Sequence, residues 1–402
     1  MTMQLPLILK LIVLLLTLTG MSVGRADDLS RPSQPVIELL QSLPDEELRE
    51  PDTVLSEQPS VLPEAPPKGE LLENIFGFAA VFGVTGGTNK VFVKNKKELK
   101  SAVANGGNHV IIDPELAGSQ IVLNTGDDLS FGPNTTLDGS QAPGFKILLE
   151  PASSSKEDKI HAILLNKGNG IVHRIHLVGN YVVGQPYGNT TSGIFSRTGQ
   201  GYWVDHVTIS NMNDDGIAFG DNDHPDTSRM VTVSHSHVYD SIKALMFVHN
   251  GQSPQGNPRG YTGAYNHIEG FIADRNPYID GTQDVHWYNN YVHGTNRTSD
   301  VGKFHVGGNT TIALFENNFY SNQLKNGRAF NNPTGTGSWG GVAWLYHNNG
   351  NETNGQSVSG KNIVSVDSGD GPGAPEIPYR YELLEASDVP SFVTANAGAS
   401  AN

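Results

Sequence analysis

Cysteine is absent from the 402 residues of the chain, which excludes disulfide bonds, thiolate metal sites and a cysteine nucleophile. Charged residues are also sparse, at 17% of the chain, and no segment shows a long hydrophobic period of 3.6 residues. Amphipathic helices are therefore expected to be few. Glycine, by contrast, is frequent, with 46 residues. This balance predicts an all-β architecture with many turns.

Composition divides the chain into three regions. Residues 1–26 have the features of a secretory signal peptide, with Lys10 before a short apolar core from Leu11 to Leu18. This core is too short to span a bilayer comfortably, so we expect cleavage and a secreted or extracytoplasmic protein. Residues 27–70 are rich in proline and acidic residues, which predicts a disordered linker. Residues 71–402 then form the folded domain and its C-terminal tail.

The formal net charge of −15 restricts the class of partner. An acidic body argues against nucleic acid as the partner. It argues equally against a polyanion held by the overall charge, so a polyanionic substrate would need a local basic cluster or a bound cation. We expect a monomer with no membrane span after signal cleavage.

Short segments of alternating apolar and polar residues recur along the folded domain. They open at Val207, Val231, Ala264, Val285, Ile312 and Val342. Spacings of roughly 20 to 33 residues, without helices and closed by turns, are typical of a stacked β architecture. Loops of varied length are expected to project from the stack.

Three of these repeats carry a pair of asparagines in the same phase. The pairs are Asn289-Asn290, Asn317-Asn318 and Asn348-Asn349. Asparagine adopts left-handed turn conformations, and stacked amide side chains can hydrogen-bond along a solenoid. The alternative is a β-sandwich with asparagine-rich turns. Because the phase is shared, we favour a single-stranded right-handed parallel β-helix.

Chemically distinctive residues lie between the strands of residues 201–292, and we expect them to line one groove. They are Trp203-Val204-Asp205-His206, Asp214-Asp215-Gly216, Lys243 and Arg275-Asn276-Pro277. Each has a simpler interpretation. Asp205 could hydrogen-bond a turn, Lys243 could lie on a solvated face, and Arg275 could be a solvated arginine in a turn. His235 and His237 alternate along one strand and offer two metal ligands, but the sequence shows no third.

The order of several motifs resembles polysaccharide lyase family 1, the pectate and pectin lyases, from about Gly77 to Ala399. The motifs are Val84-Thr85-Gly86-Gly87, Phe131-Gly132-Pro133-Asn134-Thr135-Thr136-Leu137-Asp138-Gly139, Trp203-Val204-Asp205-His206, Lys243, Arg275-Asn276-Pro277, Val285-His286-Trp287-Tyr288-Asn289-Asn290 and Pro378-Tyr379-Arg380-Tyr381. Each motif alone is weakly specific, but their common order is specific.

The resemblance implies a parallel β-helix that cleaves α-1,4-galacturonan by β-elimination to 4,5-unsaturated oligogalacturonates. It implies Arg275 as the base that removes the C5 proton and Lys243 as the cation that holds the carboxylate. It also implies substrate contacts at Asp205, His206 and Asp280. The chemistry is reasonable, because cations stabilise the negative charge that develops on the uronate. An arginine base, with a reference pKa of about 12.5 or more, needs neighbouring cations or alkaline pH.

Some positions depart from the family pattern. Calcium-dependent members of the family place three acids where this chain has Ser192, Asp215 and Phe219. One matched ligand cannot hold Ca²⁺, which needs about six to eight oxygens. Asp214 and Asp221 lie close enough in sequence to join Asp215 as metal ligands.

A second arginine of the family is also missing, and Asp280 lies nearest its place. Pectin lyases act without calcium on methylated substrate, so a calcium-poor site is compatible with that branch of the family.

Two other functions remain open from the sequence. Paired carboxylates in Asn213-Asp214-Asp215-Gly216 are also what an inverting polygalacturonase-like hydrolase needs. The glycine-histidine-glycine turn and the arginine-isoleucine-lysine segment of such hydrolases are absent, however. A non-catalytic glycan-binding β-helix is the third hypothesis, in which Trp287, Tyr288 and Tyr291 are expected to be exposed and to stack on sugars.

Overall fold

A computed structural model of the protein describes residues 75–155, 157–183, 188–220, 229–248, 260–270, 272, 275–293, 299–301, 310–321, 328–332, 343–354, 357–360 and 362–400. The predicted signal peptide, the predicted linker and Asp221 lie outside these ranges. Within them, no helix has both the length and the hydropathy needed to cross a bilayer.

The described residues form mostly short strands. The helices are α1 Gly77–Phe82, α2 Lys96–Ala104 and α3 Val389–Asn396, with a 3₁₀ turn at Pro114–Leu116. The strands are β1 Asn89–Val93, β2 Asn108–Ile112, β3 Gln120–Asn124, β4 Leu129–Ser130, β5 Thr135–Asp138, β6 Lys146–Glu150, β7 Lys159–Leu164, β8 Gly170–His173, β9 His176–Val178, β10 Thr190–Ser196, β11 Gln200–Asp205, β12 Thr208–Ser210, β13 Asp215–Phe219, β14 Arg229–Ser234, β15 His237–Tyr239, β16 Lys243–Val248, β17 Tyr261–Ala264, β18 His267–Glu269, β19 Tyr278–Asp280, β20 Val285–Tyr288, β21 Tyr291–His293, β22 Ser299–Val301, β23 Thr311–Glu316, β24 Phe319–Ser321, β25 Arg328–Asn332, β26 Ala343–His347, β27 Ser357–Gly360 and β28 Ile363–Ser365.

The strands form three parallel sheets that the chain visits in turn. Sheet 1 contains eleven strands in the order β1-β2-β5-β8-β11-β14-β17-β20-β23-β26-β28. Sheet 2 contains eight, β24-β21-β18-β15-β12-β9-β6-β3, and sheet 3 contains nine, β27-β25-β22-β19-β16-β13-β10-β7-β4. Each strand therefore pairs with its equivalent on the next coil, as β11 pairs with β8 and β14. The predicted parallel β-helix is confirmed.

The core is a stack of apolar side chains from all three sheets. On successive coils of sheet 1, Val204 pairs with Val233, Val233 with Gly263, and Gly263 with Trp287. A Cβ at Gly263 would lie 2.1 Å from the Trp287 ring, so glycine makes room for the indole. Trp287 and Tyr288 are both buried. The expectation that these two rings are exposed to sugars is therefore wrong, because Trp287 fills the core and Tyr288 packs beneath residues of the C-terminal tail.

A single residue in the left-handed region turns the chain from sheet 1 to sheet 2 on successive coils. These turn residues have φ between 45° and 57°: Arg174, His206, His235, Tyr265, Asn289 and Asn317. None is β-branched, in keeping with the steric cost of positive φ. This tight turn keeps the coils in phase, because every coil bends after the same strand position.

A buried ladder of amides follows this turn. The Oδ1 of Asn290 accepts from the backbone N and the Nδ2 of Asn266, at 2.9 and 3.0 Å. Its own Nδ2 donates to Asn318 Oδ1 at 3.0 Å, and Asn318 Nδ2 donates to Asn351 Oδ1 at 2.9 Å. The predicted amide stacking is confirmed for Asn290 and Asn318.

At its other end the ladder differs from the prediction. Asn351, rather than Asn349, takes the next position, because the turn from Asn348 to Asn351 is longer than on the preceding coils. Asn348 instead bonds Asn317, through its Nδ2 and the Asn317 Oδ1 at 2.6 Å.

The C-terminal tail packs back on the stack. Val389 and Val393 of α3 are buried against Tyr265 and Tyr288. Beyond the helix, the backbone N of Gly398 donates to the His235 carbonyl at 2.7 Å. The tail therefore covers the corner between sheets 1 and 2.

We expect Asn290→Ala to lower the free energy of unfolding by about 2–4 kcal/mol, because it leaves several buried backbone and amide groups without partners. Chemical denaturation followed by circular dichroism measures this loss. Asn105→Ala, at an exposed helix end, is the matched control and should change stability by less than about 0.5 kcal/mol. Equal effects of the two changes would contradict a stabilising role for the ladder.

Candidate active site

Polar side chains occupy one register position of sheet 3 on five successive coils. The column consists of His161, Ser192, Asp215, Lys243 and Arg275. His161 pairs with Ser192 and Asp215 with Lys243. Arg275 precedes Tyr278 by the same interval at which Lys243 precedes Met246, and Met246 pairs with Tyr278. Lys243 and Arg275 therefore occupy adjacent coils, and neighbouring strands lie about 4.8 Å apart.

The backbone at Arg275 is unusual and holds the side chain in place. Its φ is +65°, a conformation that costs a non-glycine residue about 1–2 kcal/mol. Its carbonyl accepts from Leu245 N at 2.9 Å, and its guanidinium carbon lies 5.5 Å from the centre of the Tyr278 ring.

Lys243 and Arg275 both pair with carboxylates in the same cluster. Arg275 Nη1 donates to Asp215 Oδ1 at 2.7 Å. Lys243 Nζ contacts the Asp214 carboxylate directly and lies 4.0 Å from Asp215 Oδ2. Burial, together with the charge of Asp215, raises the pKa of Asp214, although Lys243 opposes this shift. Two acids and two bases thus form a cluster with no net charge when all four are ionised.

His161 is a member of the column that the sequence reasoning missed. Its ring packs on Phe195 with centroids 4.8 Å apart. Burial lowers the pKa of His161, against the opposing charges of Asp128 and Asp215. No motif in the sequence marks this residue. Only the register of β7 against β10 brings it into line with Asp215.

Phe219 occupies the third acid position of the family pattern and faces the core, with its ring 5.7 Å from that of Tyr202 and 6.4 Å from that of Phe247. Its neighbour Ala218 packs in the separate outer cluster with Met246. Neither residue offers a ligand atom beside Asp215.

Asp280 lies on β19, where it is fully buried. It accepts hydrogen bonds from the Tyr278 hydroxyl at 2.7 Å and from Thr311 Oγ1 at 3.3 Å. The carboxylate thus has partners of its own in place of the arginine of the family pattern. Its assignment as a substrate contact stays a prediction.

Asp205 and His206 lie elsewhere, since Asp205 ends β11 of sheet 1 and His206 is the turn residue after it. The Asp205 carboxylate contacts Nδ1 of His173, His206 and His235 at 3.1, 2.6 and 3.2 Å. It also accepts from Ser234 Oγ at 2.7 Å. The expectation that Asp205 and His206 line one groove with Lys243 is wrong, because the two groups belong to different sheets. Asp205 instead ties three coils together.

Two groups of side chains in the described ranges offer three potential metal ligands each. They are His173 with Asp205 and His206, and His237 with His267 and Glu269. Neither group contains Asp214 or Asp215. The sequence offered His235 and His237 together as two metal ligands, but the structure groups His237 with His267 and Glu269 of the next coil, while His235 contacts Asp205.

Comparisons with known proteins agree with the fold. They identify the chain as a polysaccharide lyase. The family model described as pectate lyase matches residues 69–402, and the chain belongs to this family.

Two relatives and one solved structure carry the same description, and a pollen allergen shares the fold. Probable pectate lyase A of Aspergillus flavus is 28% identical over 291 residues, covering 69% of this chain and 74% of the relative, and the protein of the same name from Aspergillus oryzae gives the same values. A Bacillus subtilis pectate lyase variant shares the fold with a TM-score of 0.52 at 17% identity, covering 83% of this chain and 99% of that one. The cedar pollen allergen jun a 1 has a TM-score of 0.54 at 17% identity, with coverages of 82% and 93%.

The Asp205 cluster predicts a two-step loss of stability in acid. Burial lowers the pKa of His206, so unfolding takes up a proton and stability falls below about pH 6.5. Burial alone would raise the pKa of Asp205, but the charge of His206 and the three histidine hydrogen bonds hold it well below its usual range. The stability that Asp205 contributes is therefore present above about pH 4, and it is lost as the pH falls through the pKa of Asp205 in the folded protein.

We expect the melting temperature to fall from about pH 6.5 downwards and to fall further below about pH 4. Thermal unfolding followed by circular dichroism across this range measures it. Asp205→Asn should lower the melting temperature at neutral pH and remove the second step. An unchanged melting temperature of the natural protein between neutral pH and about pH 4 would contradict this account.

Proposed function

We propose that the protein cleaves α-1,4-galacturonan, the polymer of pectate and pectin, by β-elimination. Arg275 removes the proton from C5 of the uronate, and Lys243 binds the carboxyl group of the same sugar. The observation that carries this proposal is the shared register position of the two cations on adjacent coils. We infer export as well, from the composition of residues 1–26.

The reaction needs two things from these side chains. The C5–H bond breaks as the base takes the proton, the electrons form the C4–C5 double bond, and the C4–O bond breaks to release the glycosidic oxygen. Negative charge develops on the carboxyl oxygens before that bond breaks. Lys243 is the charged group placed beside Arg275 to stabilise it, and such electrostatic stabilisation is often the largest catalytic contribution.

The ion pairs set the conditions under which Arg275 can act. Its bond to Asp215 orients the guanidinium, and a carboxylate partner also favours the protonated form. Arg275 can therefore act as a base only at alkaline pH or when its ion pair with Asp215 is weakened. An incoming uronate competes with Asp214 for Lys243, so substrate binding exchanges one ion pair for another.

The described donors do not fit a resident Ca²⁺ ion. Asp214 and Asp215 supply carboxylates, but each is already paired with a cation. Ser192 contributes a buried hydroxyl that has no hydrogen-bond partner among the described residues. Phe219 contributes no ligand atom at the third acid position of the family pattern. This set falls short of the roughly six to eight oxygens that Ca²⁺ takes, so no step of the proposed reaction uses calcium.

Arg275→Ala should lower the rate of elimination by about 10²–10⁴-fold, the usual contribution of a positioned acid or base. Release of 4,5-unsaturated uronates, measured by ultraviolet absorbance, reports the reaction directly. The rate of the natural protein should still rise above about pH 9, since a neutral guanidine is required.

Arg174→Ala is the matched control for this change. Arg174 also has a positive φ, of 51°, but it lies at the turn after sheet 1, away from the column. It should retain most of the activity. Full activity of Arg275→Ala would exclude the arginine as base. Reducing ends released without ultraviolet absorbance would instead indicate hydrolysis.

A chelator should leave the rate on methylated pectin unchanged within about twofold, because the described donors fall short of a calcium site. Polygalacturonate and highly methylated pectin are compared, each with added calcium and with chelator. Asp214→Asn should leave the chelator response unaltered. Loss of activity in chelator, restored by calcium, would contradict the calcium-free mechanism and leave the elimination itself intact.

A further inference from the structure

Sheet 2 carries a second polar cluster on its outer face, away from the column of Lys243 and Arg275. His237 on β15 pairs in register with His267 on β18, and Glu269 on β18 pairs with His293 on β21. Val238 and Ile268, which lie between these positions, point into the core. The four polar side chains therefore project from the same outer face, over three successive coils.

The ligand atoms of this cluster are already close together. His237 Nε2 lies 2.8 Å from Glu269 Oε1, and His267 Nε2 lies 3.5 Å from Glu269 Oε2. The rings of His237 and His267 stack with centroids 4.6 Å apart and planes 11° from parallel. One ligand atom from each of the three residues falls within 4.8 Å of the other two.

One atom of the cluster lacks the partner that burial normally requires. His267 is only 6% exposed, and its Nε2 has no hydrogen-bond partner in the described part of the chain. Buried polar atoms without partners are rare in folded proteins, and a bound ion is one of the accepted explanations. This nitrogen faces the Glu269 carboxylate, at the centre of the cluster.

We propose that His237, His267 and Glu269 bind a divalent transition-metal ion, of which zinc is the representative, with His293 or water completing the site. Imidazole nitrogen with one carboxylate is a donor set that suits zinc. At metal–ligand distances of about 2.0–2.1 Å, tetrahedral ligand atoms lie roughly 3.3 Å apart, close to the separations found here.

The change needed to form the site is small. Two stacked rings direct their nitrogen lone pairs in parallel, so one ring must turn to converge on the ion. His237 is the more exposed of the two histidines, and rotation of its ring exchanges the hydrogen bond to Glu269 for a metal bond. The ion then joins β15 to β18, and to β21 when His293 takes part. Its role is a clamp between coils, independent of the elimination reaction.

The other histidine group is the weaker candidate for a metal. In the group of His173, Asp205 and His206, both histidines already contact the buried carboxylate through Nδ1. Asp205 is further occupied by His235 and Ser234. A metal bound at Asp205 would have to displace several hydrogen bonds. A metal bound between His237, His267 and Glu269 instead gives His267 Nε2 a partner.

The test is zinc binding to the full chain without a histidine tag, after removal of metals by chelator and dialysis. Titration against a chromophoric zinc chelator should give one site with micromolar or tighter affinity. Zinc should also raise the melting temperature by a few degrees, because it binds only the folded arrangement. X-ray absorption at the zinc edge should show two or three imidazole ligands at about 2.0–2.1 Å.

His237→Ala should weaken zinc binding at least tenfold and abolish the rise in melting temperature. His109→Ala is the matched control, because His109 is also a part-buried histidine paired with a carboxylate, Asp138 at 3.2 Å, and it lies on sheet 1. It should bind zinc like the natural protein. Absence of a site tighter than about 100 μM, or equal affinity in His237→Ala and the natural protein, would overturn the proposal. Neither outcome bears on the lyase activity.

Discussion

Backbone hydrogen bonding between successive coils is the interaction on which the rest of this structure depends. Each strand pairs in parallel with its equivalent on the next coil, so residues distant in sequence repeat at a fixed spacing. The amide ladder and the one-residue turns keep this register from coil to coil. Columns of side chains follow, and both the paired cations of sheet 3 and the histidine cluster of sheet 2 are columns of this kind.

The columns of side chains also determine which charged residues contact one another. Asp215, Lys243 and Arg275 come from three coils, and the stack brings them within reach of one another without any loop having to fold over them. The same rule keeps Asp205 apart from Lys243, because they belong to different sheets although their sequence positions are close. Chemistry in this fold depends on register position more than on distance along the chain.

The sequence predicts the architecture better than it predicts the facing of side chains. The repeat of short strands and the asparagine pairs were enough for the parallel β-helix and for the contact between Asn290 and Asn318. The sequence does not show whether a side chain at a strand end points into the core or outwards, because the chain bends there and the alternation is interrupted. Trp287 was expected to be exposed, although it fills the core, and Phe219, at an acid position of the family pattern, also faces the core. His161 and the partners of His237 required a register that only the pairing of coils supplies.

The amide ladder has a mechanical consequence for catalysis. Asn266 bonds to the backbone of Ser236, which lies on the coil of Lys243, and Asn266 itself lies on the coil of Arg275. The ladder therefore supports the spacing between the two coils that carry Lys243 and Arg275. Because its hydrogen bonds run from coil to coil, this spacing is expected to persist until the coils themselves separate.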